Sequence, residues 1–452
     1  MVSDDVKMAY AALAGKKNLY DKYWNYYDGD QPLIYNRERL REIFTGLDAR
    51  FTENWCSVVV DSVLERINLA SFVIANDDAA TNRINQIWTA TEMNLDSDDA
   101  HLAALVTGEA YIIVWKDDGD DVPQAYYNDP RNVHIFYESN NPRLKRFAAK
   151  WWIGDDNYRY MTMYYPDRLE YYRSKTDVKN NDVQSAEAFE MIEDPAENPY
   201  GQVPVFHIRR DRRETVSELK NIIHSQDAVN KLLSDMMVAA EFGAFKQRWA
   251  ISQVEIRDGV LKNTPNTIWT IPASDGEGQG TQVGEFSATE LTNYITAIEQ
   301  RVNTIAIISR TPKHYFFSQG GDPSGEALIA MEAPLNKKAG RLIERWTAAW
   351  RKVAAFMLEL DGQVVDPTTI EPVFDRPETV QPRTAAEIRQ INVNSGLPLV
   401  TVLRDEGWTQ QEIDEMLADQ DAAAAKQQAG IAAAMLNAQE QFDQGGNEVT
   451  QN

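Results

Sequence analysis

Cysteine is almost missing from this sequence, Cys56 being the single one in 452 residues. An internal disulfide framework is thereby excluded, and synthesis in a reducing host cytoplasm is expected. Cys56 itself, between Trp55 and Val58, reads as a core thiol. Histidine is scarce too. His101, His134, His207, His224 and His314 show no paired helical spacing, so they read as packed or surface side chains, and neither a metal nor a cofactor is expected. Long apolar runs are absent: the most apolar window, Leu102 to Trp115, is broken by Gly108 and Glu109 and is too short to cross a bilayer. No membrane association is expected. The start Met1-Val2-Ser3-Asp4-Asp5 is acidic and lacks the order of a cleaved leader. Positive charge is in deficit, with 45 Lys and Arg against 69 Asp and Glu and a net charge of −24. That balance argues against a protein that holds nucleic acid by neutralising phosphates, so any DNA contact has to be loose or local.

What is present is ample for a packed core: 43% of residues are hydrophobic and 10% aromatic. Length alone suggests about three domains. The first part of the chain reads as α+β. Helices are expected from Val6 to about Tyr27, Phe51 to Ile67 and Asp77 to Glu92, and then the period changes to that of strands. The run Tyr111 to Trp115, the acidic segment Asp117 to Asp121 and Ala125-Tyr126-Tyr127 form a hairpin. Further strands are expected near Val133 to Tyr137, Arg146 to Ile153, Tyr158 to Tyr165, Arg168 to Tyr172 and Val203 to Ile208.

The remainder is organised around Phe286 to Leu360. A capping box, Thr215 with Glu218, is expected to open a helix running to about Phe245, and Ser287 with Glu290 a second that ends at Thr311-Pro312. Its apolar face is Leu291, Tyr294, Ile295, Ile298, Val302, Ile305 and Ile308. Between the two lies a small β module, Trp249 to Val283, with Ile268 to Ile271 strand-like. Ser318-Gln319-Gly320-Gly321-Asp322 follows as a loop with two adjacent glycines. A long helix then carries Leu328, Met331, Leu335, Leu342, Trp346, Trp350, Val353 and Met357, with Pro334 inside it as an expected kink. Beyond Leu360, Val364-Val365 reads as a strand and Pro367, Pro372, Pro377 and Pro382 as a linker. Two capping boxes, Thr384 with Glu387 and Thr409 with Glu412, open short helices before an alanine- and glutamine-rich tail expected to fray.

The signals for chemistry are weak. Gly320-Gly321-Asp322-Pro323-Ser324-Gly325 lacks the Lys-Ser or Lys-Thr of a phosphate-binding loop, so ATP hydrolysis is not indicated. Asp117 to Asp121 reads as a solvated turn, without calcium-loop spacing. A metal-dependent nuclease, the runner-up, would need Asp117, Asp118 and Asp129 to converge. Arg209, Arg210, Arg212 and Arg213 are the one dense basic cluster, set before the expected helix from Thr215, where the dipole disfavours cations. A partner carboxylate or phosphate is expected there, a subunit interface being favoured over DNA by the net charge.

The order helix, small β module, helix, loop, long helix and helical end resembles the portal proteins of tailed double-stranded DNA bacteriophages, in the family typical of long-tailed phages. Tyr26-Tyr27-Asp28-Gly29-Asp30-Gln31-Pro32-Leu33 looks like its N-terminal signature, and Asn54-Trp55-Cys56 with Val59-Val60-Asp61 is similar to its next helix. Gly201-Gln202-Val203-Pro204-Val205, Ser324-Gly325-Glu326-Ala327-Leu328 and Glu332-Ala333-Pro334-Leu335 follow in the family's order. The chain is short for such a family. The resemblance implies a non-enzymatic ring of about twelve copies at one capsid vertex, made in the host cytoplasm and carried in the virion. Its implied partners are double-stranded DNA in the channel, the large terminase subunit, a head-tail adaptor and capsid or scaffold proteins. It implies a wing over 1–213 with a return at 362–382, stem helices over 214–247 and 287–310 and a clip over 248–286. A tunnel loop over 311–323, a long kinked helix over 324–361, a crown over 383–430 and a disordered tail over 431–452 complete it. Lys313, His314, Ser318, Gln319, Gly320, Gly321 and Asp322 would then face DNA.

Overall fold

The computed structural model describes residues 3–31, 52–117, 119–179, 182–244, 248–251, 282–286, 290–317, 325–377, 382–406, 408, 413–423 and 425–426. Helix α1, Asp4–Asp28, starts where the Ser3 hydroxyl accepts from the Val6 amide and stops at Gly29, whose φ of +84° ends the helix. Asn54 caps α2, Trp55–Leu64, and Asp77 caps α3, Asp78–Ala90, with strand β1, Leu69–Ile74, between them. Helix α4, Met93–Val106, was not expected. Ala100, Ala103, Ala104, Leu105 and Val106 are all buried while Asn94, Leu95, Asp98 and Asp99 are exposed, and a helix enclosed only in its last turns, with small alanines there, shows no continuous apolar stripe.

Strands β2, Glu109–Trp115, and β3, Gln124–Asn128, form the expected hairpin. A second antiparallel sheet is built from β4, Val133–Glu138, β5, Asn141–Ile153, β6, Arg159–Tyr164, β7, Arg168–Ser174, and β8, Phe189–Met191, with β9, Ala196–Glu197, also paired to β7. β10, Val205–Arg209, returns to the other edge of β2, placing Arg209 opposite Glu109. The class is α+β, as expected.

In the second half, helix α5 spans Ile223–Ala244, β11, Arg248–Ile251, pairs with β12, Gln282–Glu285, and α6 spans Thr292–Ser309. Helix α7, Gly325–Leu360, is 36 residues long, about 54 Å, and continues through Pro334. Strand β13, Ile370–Phe374, and helices α8, Pro382–Asn394, and α9, Leu399–Asp405, complete the chain, with a helical stretch at 413–423. Several expectations are corrected here. The Thr215 capping box does not form, because the Glu218 amide bonds the Leu105 carbonyl at 2.9 Å, and the helix starts only at Ile223. Val364-Val365 is not a strand; the strand is β13, and Pro372, expected in a linker, lies within it opposite Phe72. A two-stranded ladder has free edges that tolerate a residue with no amide proton. Thr384 lies inside α8, which begins at Pro382. Ser287, Ile268 to Ile271, Thr409, Glu412 and the tail beyond residue 426 lie outside the described residues.

The core forms around α7. Trp346 and Trp350 are fully buried. The His101 ring of α4 stacks on Trp346 at 4.5 Å and 8°, and its Nε2 accepts from the Trp350 indole at 3.0 Å. Trp88 of α3 meets Trp350 edge-on, and Phe72 of β1 meets Trp88. Arg351 donates to the Ile370 carbonyl at 2.8 Å, and Arg83 holds Asp361 through two bonds of 2.6 and 2.7 Å. These contacts tie α7 to elements from both ends of the sequence.

Gly108, between α4 and β2, has φ of +100°, and a Cβ there would lie 2.6 Å from the Val216 backbone nitrogen. Gly108→Ala is therefore expected to lower unfolding free energy by roughly 3 kcal/mol, strain and overlap together. A shift of the urea midpoint at constant slope checks it, and an unchanged midpoint would contradict the close approach.

Candidate functional site

The turn between α6 and α7 is pinned at its base. α6 ends as Arg310 takes φ of +60°, and Lys338 of α7 donates to the Ser309 carbonyl at 2.8 Å, a cation at a helix C-terminus. Tyr315 accepts at 2.8 Å from Arg66, two residues beyond the end of α2, and Arg66 also reaches Asn336 at 2.9 Å and Glu332 at 3.6 Å. His314 lies 3.6 Å from Glu332, and buried Phe316 packs on Trp55 at 5.4 Å. Lys313 is exposed. Ser318, Gln319, Gly320, Gly321 and Asp322 lie outside the described residues. Pro334 is exposed and lines a cavity of about 350 Å³ with Ile307, Lys313 and Met331.

The arginine cluster divides in two. Arg209 sits over the Tyr137 ring at 4.9 Å and, with Arg212, lines a pocket of about 250 Å³. Arg210 turns the other way, holding Glu218 at 2.5 and 2.9 Å, and Glu218 also pairs with Lys338. Arg213, its side chain 90% exposed, is 4.0 Å from Asp211. The cluster therefore does not sit at a helix N-terminus, since α5 begins at Ile223.

Behind it lies a buried charge network that sequence reading missed. Glu109 accepts from Tyr20 at 2.8 Å and Lys16 at 3.2 Å on one oxygen, and faces His207 at 3.0 Å on the other. Lys16 also donates to the Val133 carbonyl at 2.6 Å. Burial alone would raise the Glu109 pKa, but Lys16 and His207 outweigh it and hold it well below the usual range. The signal was available: a glutamate inside the window Leu102 to Trp115 has to be paired if that window is buried. The acidic turn, by contrast, builds no shared centre with Asp129. Asp117 follows the end of β2 at the turn, whereas Asp129 follows β3 at the open end of the hairpin, about 20 Å away, and is held by Arg131. Among the described residues no three His, Cys, Asp or Glu side chains converge on a metal position.

With this geometry in view, the family model described as phage portal protein, SPP1 Gp6-like, matches residues 12–426. The chain belongs to this family of phage portal proteins. It is 26% identical over 392 residues to the portal protein of Mycobacterium phage D29, covering 79% of this chain and 76% of that one. The portal protein of Mycobacterium phage L5 is 25% identical over the same length. The family match spans α1 to the helical stretch at 413–423, so the pinned turn, the arginine cluster and the buried network all lie within it. Among the described residues no helix is long and apolar enough to cross a membrane. Cys56 is fully buried, and burial pushes its thiol up to about 12, in keeping with a core role.

Three imidazoles are held neutral by burial. His101 is lowered to about 3, His134 to about 4 with Lys16 adding to the effect, and His207 is lowered despite Glu109. In the unfolded chain each binds a proton near pH 6.5, so below that pH the unfolded state takes up protons that the folded state does not. Stability is expected to fall as pH drops from 6.5 towards 4, by about 1.4 kcal/mol per pH unit for each imidazole. Glu109 adds its loss only below about pH 4.5. A melting temperature that stays level between pH 7 and pH 5 would contradict the neutral assignment.

Proposed function

We propose that the chain forms a closed ring of about twelve copies at one capsid vertex, through which double-stranded DNA is packaged and ejected. The ring docks the large terminase subunit, a head-tail adaptor and capsid or scaffold proteins, and it performs no catalysis of its own. The observation that carries this reading is the family match, and the surface of the two central helices supports it. Ile307 is 68% exposed, and Ile295, Ile308, Ile329 and Met331 are also exposed. Of the apolar face expected on α6, Val302 and Ile305 are buried in the single chain while Ile308 is not. A chain on its own leaves this apolar surface in water, and neighbouring copies would cover it. Residues 1–213 with 362–382 serve as the wing, 214–247 and 287–310 as the stem and 248–286 as the clip. The long helix over 324–361 leads to a crown over 383–430.

The turn over 311–323 is the DNA-facing loop in this reading. Its base is anchored to α2 and α7 through Arg66, Glu332 and Trp55, so a short tip could reach into a channel without loosening the wall. Twelve copies at −24 give about −288, and a channel of that charge repels phosphates, letting DNA slide without adhering.

Mass measurement and negative-stain imaging of the full chain at micromolar concentration test the ring. A hollow particle of about twelve copies is expected, and monomer at both high and low salt would overturn it. Deleting Ser318 to Gly321 is expected to leave rings intact while arresting DNA translocation or retention. Normal yields of full-genome virions from that variant would reduce the loop to a connection.

A further inference from the structure

The pocket beside the arginine cluster is unusual in a chain with this charge. Six cations line it, Arg143, Lys145, Arg209, Arg212, Arg345 and Lys352, and among the described residues no Asp or Glu does. Arg345 and Lys352 lie seven residues apart on one face of α7, Arg209 ends β10, and Arg143 and Lys145 project from the start of β5. The Lys145 ammonium sits 4.0 Å from the centre of the Phe206 ring and donates to the Val203 carbonyl at 2.9 Å. Burial, with Lys352 adding to it, pushes Lys145 down to about 7. So much like charge in one concavity disfavours itself, and an anion entering would relieve it.

The same three-stranded sheet carries the opposite charge where β2 ends, beyond the edge of the pocket. Arg209 lies opposite Glu109 at one end of the β2–β10 ladder, whereas β2 ends at Trp115 and leads into the turn with Asp117, Asp120 and Asp121. β2 itself spans seven residues, about 23 Å from Glu109 to the start of the turn. Asp117 and Asp121 are exposed. The acidic turn does not line the basic pocket of its own copy, but the two can meet in a head-to-tail contact between copies, the arrangement that closes rings. The net charge of −24 disfavours a DNA phosphate backbone as the occupant.

We infer that the pocket lined by Arg143, Arg209, Arg212, Arg345 and Lys352 receives the acidic turn, Asp117, Asp120 and Asp121, of a neighbouring copy. This rests on the ring reading above and adds a specific contact to it.

Charge exchange in the full chain tests the pairing. One variant carries Arg212→Glu and Lys352→Glu, and a second carries Asp117→Lys and Asp121→Lys; all four positions are exposed, and circular dichroism and melting verify the fold. Each variant alone reverses two of the charges at the contact, so that those positions repel the partner surface, and its assembly is expected to weaken at least tenfold by mass photometry. Mixed in equal amounts they are expected to recover rings, because in an alternating order every reversed position then faces a position of opposite sign. A chain bearing all four changes is expected to assemble by itself. Rings formed by either variant alone as readily as by the unaltered chain, or losses that neither the mixture nor the fourfold variant repairs, overturn the pairing and leave the ring reading standing. Intact rings of the Arg212→Glu, Lys352→Glu variant with lost retention of double-stranded DNA would assign the pocket to phosphates and likewise overturn it. An unaltered chain that stays monomeric overturns the ring reading and the pairing with it.

Discussion

The burial of Trp346 and Trp350 against His101 is the contact on which the rest of the architecture depends. It fixes a late helix, α7, against α3 and α4 from the first quarter of the chain, and β1 pairs with β13 beside it. Replacing a fully buried tryptophan with alanine typically costs about 3–5 kcal/mol, a large share of the stability of an ordinary domain. The indole nitrogens are satisfied as well, Trp350 by His101 and Trp346 by the Arg209 carbonyl at 3.0 Å. The same two side chains thus close the core and set where β10 and the arginines after it emerge.

Charge in this molecule is arranged by depth. Inside, carboxylates are matched: Glu109 by Lys16 and His207, Glu218 by Arg210 and Lys338, Asp361 by Arg83. A buried carboxylate without such partners would cost several kcal/mol, so these pairs fix register more than they add stability. At the surface the matching is incomplete. The excess of acids coexists on one chain with a pocket whose charged lining residues are all cations.

The pinned turn joins the two themes. Arg66, just beyond α2, reaches Tyr315, Asn336 and Glu332 together and so ties the end of α2, the turn and α7 to one another.

Local chemistry alone determined a good deal. Alternating β-branched and aromatic residues marked β2 to β7, the three- and four-residue spacing marked the buried face of α7, and Asp77 and Asn54 lie where their helices begin. Signals of this kind depend on neighbours a few residues away, which a sequence contains in full. Tertiary structure decided the rest. Glu218 looked like a helix cap for Thr215 but serves Arg210 and Lys338, and its amide bonds Leu105; Pro372 looked like a linker and pairs with Phe72. Helix α4 had no legible stripe because only its last turns are enclosed by partners, and exposed Leu95 interrupts the pattern in its first half. The basic pocket gathers residues from positions 143, 209, 212, 345 and 352, and no spacing along the chain announces such a set. The reason is physical: capping and periodicity are short-range, whereas a buried charge takes whichever partner the packing of distant elements brings within about 3 Å.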